Sequence, residues 1–589
     1  MAAAWETPAT PPPIMSTAAG ATRYVAGNEF FNYMLFGGLR TGGSVSLWMK
    51  AYVGYAVAAF FSGYVYAVVN YLLLRLSDRT LRLEDSRALR GVLTLQWSVV
   101  LFVGVLSDCV PMHLPRRRPF MIVAWSLGSL LWLALFVVCQ ASHTSLVPKE
   151  VTTTLVSVAF LCLLVATNAL DIRIIELSQQ EHLRERGRLL GVYQMTRIMG
   201  QVVAHSFITA IVKTQRNSMD LELPFNVDWV FLHLAFICVL VVVMLVQFAQ
   251  EKPVHKSWRP HETASTAPAS HAQPDLLSTA GGDHHLALSI TTHATRASVS
   301  RGNAVTRTVT IASKNDSVET SQSLSGSGYL LSTLRVFWRC AQQKVMWQLM
   351  VFNCIFFCFG LVEIGEVRRA VQIWARDTAV TRNVRGLLGD IGFVAVIALW
   401  RQHGVNVCWR GMTAGTILFS AACSLLFSSL IIFDVTRSPW LNTTSYIVRA
   451  PIRMLALLLP FVPTIEVAHL GSEGTTYALI ATFDGIVRVL GSELARVLVN
   501  AWPELGLPPR AIRRNQSKTQ WTAFYGVLIM AGCAIVPLVC LRLLPRQKLD
   551  AQQLRVYGGY SKLPVVLLSI GYLVGFPYVL YLQVSRVGQ

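Results

Sequence analysis

The sequence has few charges, no nucleotide-binding loop and no cysteine pattern. Only 14% of its 589 residues are Asp, Glu, Lys or Arg, against about 25% in an ordinary soluble protein. That shortfall excludes a typical water-soluble fold of this length. No GxxxxGK[ST] stretch occurs, so no P-loop is present to use ATP. The eleven cysteines are scattered, mostly within apolar runs (Cys162, Cys238, Cys354, Cys358, Cys423, Cys533). They form no CxxC and no Cys/His spacing suited to zinc, so neither a disulfide framework nor a metal is expected. No stretch assembles a nucleophile with a base, which argues against an enzyme and against a cofactor. The opening MAAAWETPATPPPIMSTAAG lacks a basic region followed by an apolar one. It is poor in arginine too, so it reads as a disordered tail rather than a signal or transit peptide.

What is present is apolar length. Hydrophobic residues make up 53% of the chain, and a bilayer crossing needs about 20 mainly apolar residues. Twelve such runs are predicted, at roughly 51–74, 92–110, 119–140, 152–174, 189–212, 228–250, 345–365, 386–402, 411–434, 448–468, 475–500 and 519–544. A further run, 563–584, reads as a thirteenth span or an interfacial helix. The expected fold is therefore an all-α polytopic membrane protein of two six-helix bundles. Its parts are a disordered tail 1–48, a bundle 49–250, a disordered cytoplasmic linker 251–335, a bundle 336–545 and a C-terminal tail 546–589. The linker is rich in Ser, Thr and His and cannot bury enough apolar surface to fold alone.

The formal net charge is +20, yet no basic-aromatic array suggests a nucleic-acid partner. The basic residues fall between the apolar runs, where anionic headgroups can meet them. Basic loops occur on both expected sides, including 75–90 and 510–518, so charge alone does not orient the chain. Sequons at Asn442 and Asn515 fall in loops that are external if the N-terminus is cytoplasmic, and both are candidate glycosylation sites. A third, at Asn315, lies in the linker and would be unused.

One gap between apolar runs is unusual: GVLSDCVPMHLPRRRPF, from Gly104 to Phe120. A glycine, a small-residue turn, an aspartate and a basic cluster follow one another here, as Gly104, Asp108 and Arg116, Arg117 and Arg118. The pattern resembles the signature loop between the second and third spans of the major facilitator superfamily. The narrower form, SDCVP followed by RRRPF, resembles the folate–biopterin transporter family. ALDIRIIEL around Asp171, YQMTRIMGQVVA around Arg197 and Gly200, and GSEGTTYALIATFDG from Gly471 also resemble segments of that family. Together these motifs cover roughly residues 90–500. The fourth span departs from the pattern, with Thr167 and Asn168 where a second acid often stands. The loop RQHGVNVCWRG is only a degenerate counterpart of the signature, and the C-terminal apolar run is an addition.

The resemblance implies a secondary transporter of folate or biopterin, working by alternating access and coupled to protons. A transporter of another organic solute such as S-adenosylmethionine, and a non-transporting sensor of the same fold, are the alternatives. The expected partners are a small-molecule substrate and the lipid bilayer, with the plasma membrane as location and an organellar membrane as the alternative. The expected state is a monomer; Gly571-x-x-x-Gly575 offers a dimer contact, and Gly411-x-x-x-Gly415 an intramolecular one.

Charges inside spans are costly and mark function or pairing. At 1.5 Å per residue, Arg197 lies roughly 12 Å deep, and Asp171 on the preceding span is near the same face. Asp484 lies roughly 14 Å deep with Arg488 one turn beyond. In the functional reading, Arg197 and Arg488 hold an anionic substrate and Asp171 or Asp484 carries the coupling proton. Trp347, Phe356 and Phe357 are the aromatic candidates for stacking a flat ring. In the structural reading, Asp171–Arg197 locks two helices and Asp484–Arg488 is an i, i+4 pair. His205 reads as a packed polar residue. Glu363 and Glu366 read as headgroup-facing or as gate residues. Asp108 is expected at the positive end of the eleventh helix, near Gly474, as a latch between the halves, with the arginines free for headgroups.

Overall fold

Long runs of apolar residues with polar breaks fold here as helices whose outer rows stay greasy. On one helix Val123, Leu127, Leu130 and Val137 are exposed; on another Phe236, Val239, Val243 and Val246 are. This spacing makes continuous apolar stripes that water would not tolerate and lipid does. The computed structural model describes residues 39–40, 43–70, 93, 96–109, 116–142, 149–211, 213–214, 221–222, 228–251, 335, 337–469 and 471–587. The predicted tail to residue 38, the loop 75–90, nearly all of the linker and its Asn315 sequon lie outside these. The chain divides into one unit of 1–254 with 334–589 and another of 255–333, and only the first is described.

The first six spans are α1 (Val53–Val68), α2 (Val100–Cys109), α3 (Arg118–Ser142), α4 (Lys149–Ser178), α5 (Arg188–Ile211) and α6 (Asp228–Phe248). A 3-10 turn, Gln96–Val99, leads into α2. The second set begins with α7 (Lys344–Phe359), followed by a short amphipathic helix α8 (Gly365–Trp374) that the sequence reading missed. Then come α9 (Ala379–Leu399) and α10 (Trp409–Ile432). The tenth span is three helices, α11 (Pro439–Val448), α12 (Ala450–Leu458) and α13 (Val462–Val467). Pro439, Pro451 and Pro463 each stand in the first turn of one piece, where a missing N–H costs nothing and the chain restarts its helix. The eleventh is α14 (Glu473–Ala481) and α15 (Asp484–Ala501), then α16 (Pro509–Arg514) and α17 (Ser517–Val539). Helix α18 (Lys548–Tyr557) and the long α19 (Leu563–Val587) end the chain. A two-residue antiparallel pair, Lys213–Thr214 with Leu221–Glu222, is the only sheet among the described residues.

Eight helices among the described residues are long and apolar enough to cross a bilayer, and one runs Leu563–Leu582 within α19. It lies beside α15: Tyr572 meets Phe483 edge-on, and its hydroxyl donates to the Ser98 carbonyl at 2.9 Å. Gly575 faces Ile486 of α15, whereas Gly571 faces open space. The second small-residue pair differs from expectation. Nothing lies within 4 Å of a Cβ placed at Gly411 or Gly415, so this pair makes no close intramolecular contact.

Close helix contact occurs elsewhere. A Cβ at Gly63 would fall 1.8 Å from the Arg197 carbonyl oxygen, and one at Gly200 would fall 1.9 Å from that of Phe60. Glycine at both positions lets α1 and α5 touch backbone to backbone. Between the halves, Gly104 of α2 lies against Gly474 and Ala478 of α14 in the same way. One apolar core runs through α1, α4 and α5 and continues into Phe393, Met454, Phe461 and Tyr477 of the second half.

Candidate functional site

The fifth and eleventh spans fall outside the eight helices long and apolar enough to cross a bilayer. Helix α5 interrupts its apolar face with Gln194, Arg197, Gln201 and His205, and these two spans carry Arg197, Asp484 and Arg488. Asp171 of α4 is fully buried. Tyr193 of α5 donates a short hydrogen bond to one of its oxygens, and Tyr477 of α14 donates to the other at 3.1 Å. Arg197 Nη1 stands 3.7 Å away. The expected Asp171–Arg197 juxtaposition is present, and Tyr477 ties it to the second half. Beside Asp171 and Arg197 in sequence, Asn168 Oδ1 and both amide atoms of Gln194 are buried without a hydrogen-bond partner. Buried amides of this kind hold water or ligand when a site is filled.

Asp484 and Arg488 also pair, with Arg488 Nη2 donating at 3.2 Å. Asp484 is the first residue of α15, where a carboxylate suits the helix dipole. The Arg488 guanidinium lies 4.5 Å over the Phe357 ring. Trp347 instead packs on the core of the second half, with its indole nitrogen buried and unpartnered. Arg197 lies 6.0 Å over Trp97.

A third arginine was missed. Arg453 of α12 sits 4.7 Å over Phe393 and 5.5 Å from the Tyr446 ring, and it donates to Asp390 at 2.8 Å. The Tyr66 side chain of α1 is within electrostatic reach of Arg197, Arg453 and Arg488 together. Three guanidiniums, one from the first half and two from the second, thus each lie against an aromatic ring. His205, expected as packing, meets Asp390 at 2.6 Å. The Asn442 amide is turned inward and donates to Asp377 at 2.7 Å; Asn515 has a left-handed backbone and accepts from Arg437.

Residues 65–556 match the BT1 family. The chain belongs to the BT1 family. This is the folate–biopterin transporter family. No curated protein matches the sequence. Among solved structures, the proton:xylose symporter XylE aligns with a TM-score of 0.51 and 11% identity, covering 86% of this chain and 98% of that one. The human organic anion transporter MFSD10 aligns with a TM-score of 0.47 and 9% identity, covering 84% and 99%. At such identity XylE shows the fold alone, that of the major facilitator superfamily. This BT1-family protein is a multi-pass membrane protein and a secondary transporter.

The signature loop of this transporter binds the two halves. Asp108 is buried; its Oδ2 accepts the Thr475 N–H at 2.6 Å and the Thr475 hydroxyl at 2.8 Å, in the first turn of α14. Its other oxygen accepts from Arg117, which also donates to Glu176 at 2.9 Å. The expectation that the arginines serve headgroups is corrected here. Arg117 has no exposed surface. Arg116 donates to the Gly471 carbonyl at 2.6 Å, and Arg118 to the Leu245 and Val246 carbonyls at the end of α6, where helix carbonyls are unsatisfied. Arg40 joins the cluster through Glu473 at 2.6 Å.

A second cluster on the same face was not foreseen. Arg186 pairs with Glu466 at 2.7 Å, and Lys548 Nζ donates to the Leu183 carbonyl and Asn406 Oδ1, each at 2.9 Å. Glu181 caps α5 by accepting from the Gly187 and Leu189 N–H groups at 2.8 and 2.9 Å. Burial pushes its carboxyl up to about 7. Burial also pushes Lys548 down to about 8, and pushes His469 in the same cluster down to about 4, with Arg555 adding to the latter.

A pH effect follows for the closed arginine-loop face. If opening solvates Glu181, its carboxyl returns toward 4.5. Between those values the closed form binds the extra proton. Its stability is therefore full below about 4.5, falls as pH rises to about 7, and is flat above. His469 acts oppositely and Lys548 titrates only at higher pH, so the comparison must be with Glu181→Gln. Spin-label distances across this face should show wild type opening about tenfold or more between pH 5 and pH 7 relative to that variant. Identical pH profiles would remove Glu181 from the mechanism.

Proposed function

We propose that this transporter carries folate- or pterin-type solutes by alternating access, driven by a proton gradient. The observation that supports this is the set Arg197, Arg453 and Arg488, drawn from both halves, each guanidinium lying against an aromatic ring. Arginine forks match carboxylates two bonds at a time. The surrounding aromatic rings suit the flat faces of a pterin. Substrate and acid compete for the same arginine. While Asp171 is ionised it holds Arg197; a proton on Asp171 releases Arg197 to a substrate carboxylate. Asp484 and Arg488 can act as the matching pair in the second half. The arginine-loop face is cytoplasmic in this reading, and the protein sits in the plasma membrane.

The test is uptake of labelled folate, biopterin and S-adenosylmethionine by vesicles containing the purified protein, with and without a pH gradient. Saturable folate or biopterin uptake that disappears with the gradient is expected. Uptake of S-adenosylmethionine alone would transfer the binding role to Asp171 and Asp484 and overturn the assignment.

A further inference from the structure

Beside Arg453, a cavity of about 280 Å³ opens inside the second half, between the turn after α7 and helices α10, α11, α12 and α17. Glu363, Ser424, Tyr446, Arg449 and Arg453 line it. A smaller one of about 70 Å³ shares four of these and adds Arg368 and Arg385. Arg453 lines the cavity and is one of the three arginines proposed to hold the substrate, so the cavity adjoins the proposed substrate position. Arg449 lies at the break between α11 and α12, roughly 15 Å along the span from Pro439.

The charges in this cavity do not balance. Arg453 is matched by Asp390 and Arg385 by Asp377. Arg368 and Arg449 have one acid between them among the described residues. Glu363 Oε2 accepts from Arg368 Nη1 at 2.6 Å, and its Oε1 accepts from Arg449 Nη1 at 3.1 Å. Among the described residues, the Arg449 guanidinium otherwise hydrogen-bonds only the Ser424 hydroxyl, at 3.4 Å. One carboxylate thus bridges two guanidiniums, and the site keeps an excess positive charge. The Glu363 side chain is 39% exposed, so a solute can reach it. It leaves from a non-helical turn between α7 and α8, which can move it aside.

We infer that this cavity is an outer subsite for the carboxylate-bearing arm of the ligand, with Glu363 standing in for that arm until it arrives. The inference rests on the substrate class proposed above and adds where the arm is received. Glu363 keeps Arg368 and Arg449 paired in the empty protein. An incoming dicarboxylate supplies two negative charges to two guanidiniums, which one glutamate cannot do. A pterin without a carboxylate has nothing to place here, so the subsite separates glutamate-tailed from untailed ligands.

The probe is p-aminobenzoylglutamate, an aromatic dicarboxylate, titrated calorimetrically into the purified full-length protein. Arg449→Gln should weaken its binding at least about tenfold, and Glu363→Gln should tighten it a few-fold. Opposite signs from two neutral substitutions are not what simple damage to folding would give; Arg368→Gln should weaken binding as Arg449→Gln does. Unchanged affinity in Arg449→Gln, or weaker binding in Glu363→Gln, would overturn the inference. Uptake separates this from the broader reading. If wild type carries folate and Arg449→Gln slows folate and biopterin equally, the subsite is wrong and the transport reading stands. If the variants bind the probe as expected but wild type carries neither solute, the subsite stands and the transport reading fails.

Discussion

An Arg197→Gln protein should reach the membrane and carry less than about one hundredth of wild-type flux. The reason begins with Asp171, which has no exposed surface and has Arg197 as its one cationic partner among the described residues. Breaking a buried pair by removing one member costs about 3–5 kcal/mol, because the remaining charge is stranded. Asp171 would escape by keeping a proton, held between the hydroxyls of Tyr193 and Tyr477. A permanently protonated Asp171 no longer cycles, and the substrate loses one of three guanidiniums. Losing one charge-assisted contact to the substrate costs about 1.5–3 kcal/mol, about a tenfold to hundredfold loss, and the lost proton step adds to it. Arg197→Lys keeps the charge but loses the planar fork and the contact over Trp97, so an intermediate loss of about tenfold is expected. Asp171→Asn combined with Arg197→Gln should restore thermal stability without restoring flux. Uptake per molecule of purified protein decides the matter, and normal uptake by Arg197→Gln would end the assignment.

The sequence made some of this legible and hid the rest for physical reasons. Helix positions followed from apolar length, because lipid imposes a simple rule on the chain. The Asp171–Arg197 and Asp484–Arg488 pairs followed from depth along neighbouring spans or from helical spacing, both of which are local. The contact of Asp108 with the start of α14 followed from the meaning of a helix N-terminus. Arg449 and Arg453 were missed because a span starting near 448 puts them in its first turns, at the membrane face; the helices begin at Pro439, which places both arginines deeper. Tyr193, Tyr477, Glu181, Glu466 and Lys548 were missed for a different reason. Each looks ordinary in its own stretch: Glu181 caps the helix that follows it, and the others acquire partners only when separate helices and loops pack together. The low hydropathy of the fifth and eleventh spans was the available signal. A span that sacrifices apolar character needs compensating partners, and both spans have them across the interface between the halves.

Asp108→Asn should slow transport at least about tenfold while changing ligand affinity by less than about twofold. Asparagine offers one carbonyl oxygen where Asp108 offers two charged ones. If that oxygen keeps Thr475, the new amide group points its N–H bonds at Arg117, which is a donor as well. Arg117 would be left buried with Glu176 as its paired carboxylate and the Ser107 hydroxyl as its other side-chain partner. Hydrogen bonds to charged groups contribute about 1.5–3 kcal/mol each to the closed arrangement. Alternating access depends on two states of similar free energy, so a bias of even 3 kcal/mol shifts their ratio about a hundredfold. Flux therefore falls because one half of the cycle becomes rare. Affinity changes little because Asp108 contacts the loop and the first turn of α14, not Arg197, Arg453 or Arg488. Gly104→Ala separates charge from contact. Its added Cβ would lie 2.4 Å from both the Gly474 oxygen and the Ala478 Cβ, wedging apart the same seam with every charge retained. If both variants lose flux and keep affinity, the seam itself is the latch. If only Asp108→Asn does, the latch is electrostatic and should weaken further at high salt. An equal loss of flux and affinity in Asp108→Asn would place this carboxylate in the ligand site and remove the latch altogether.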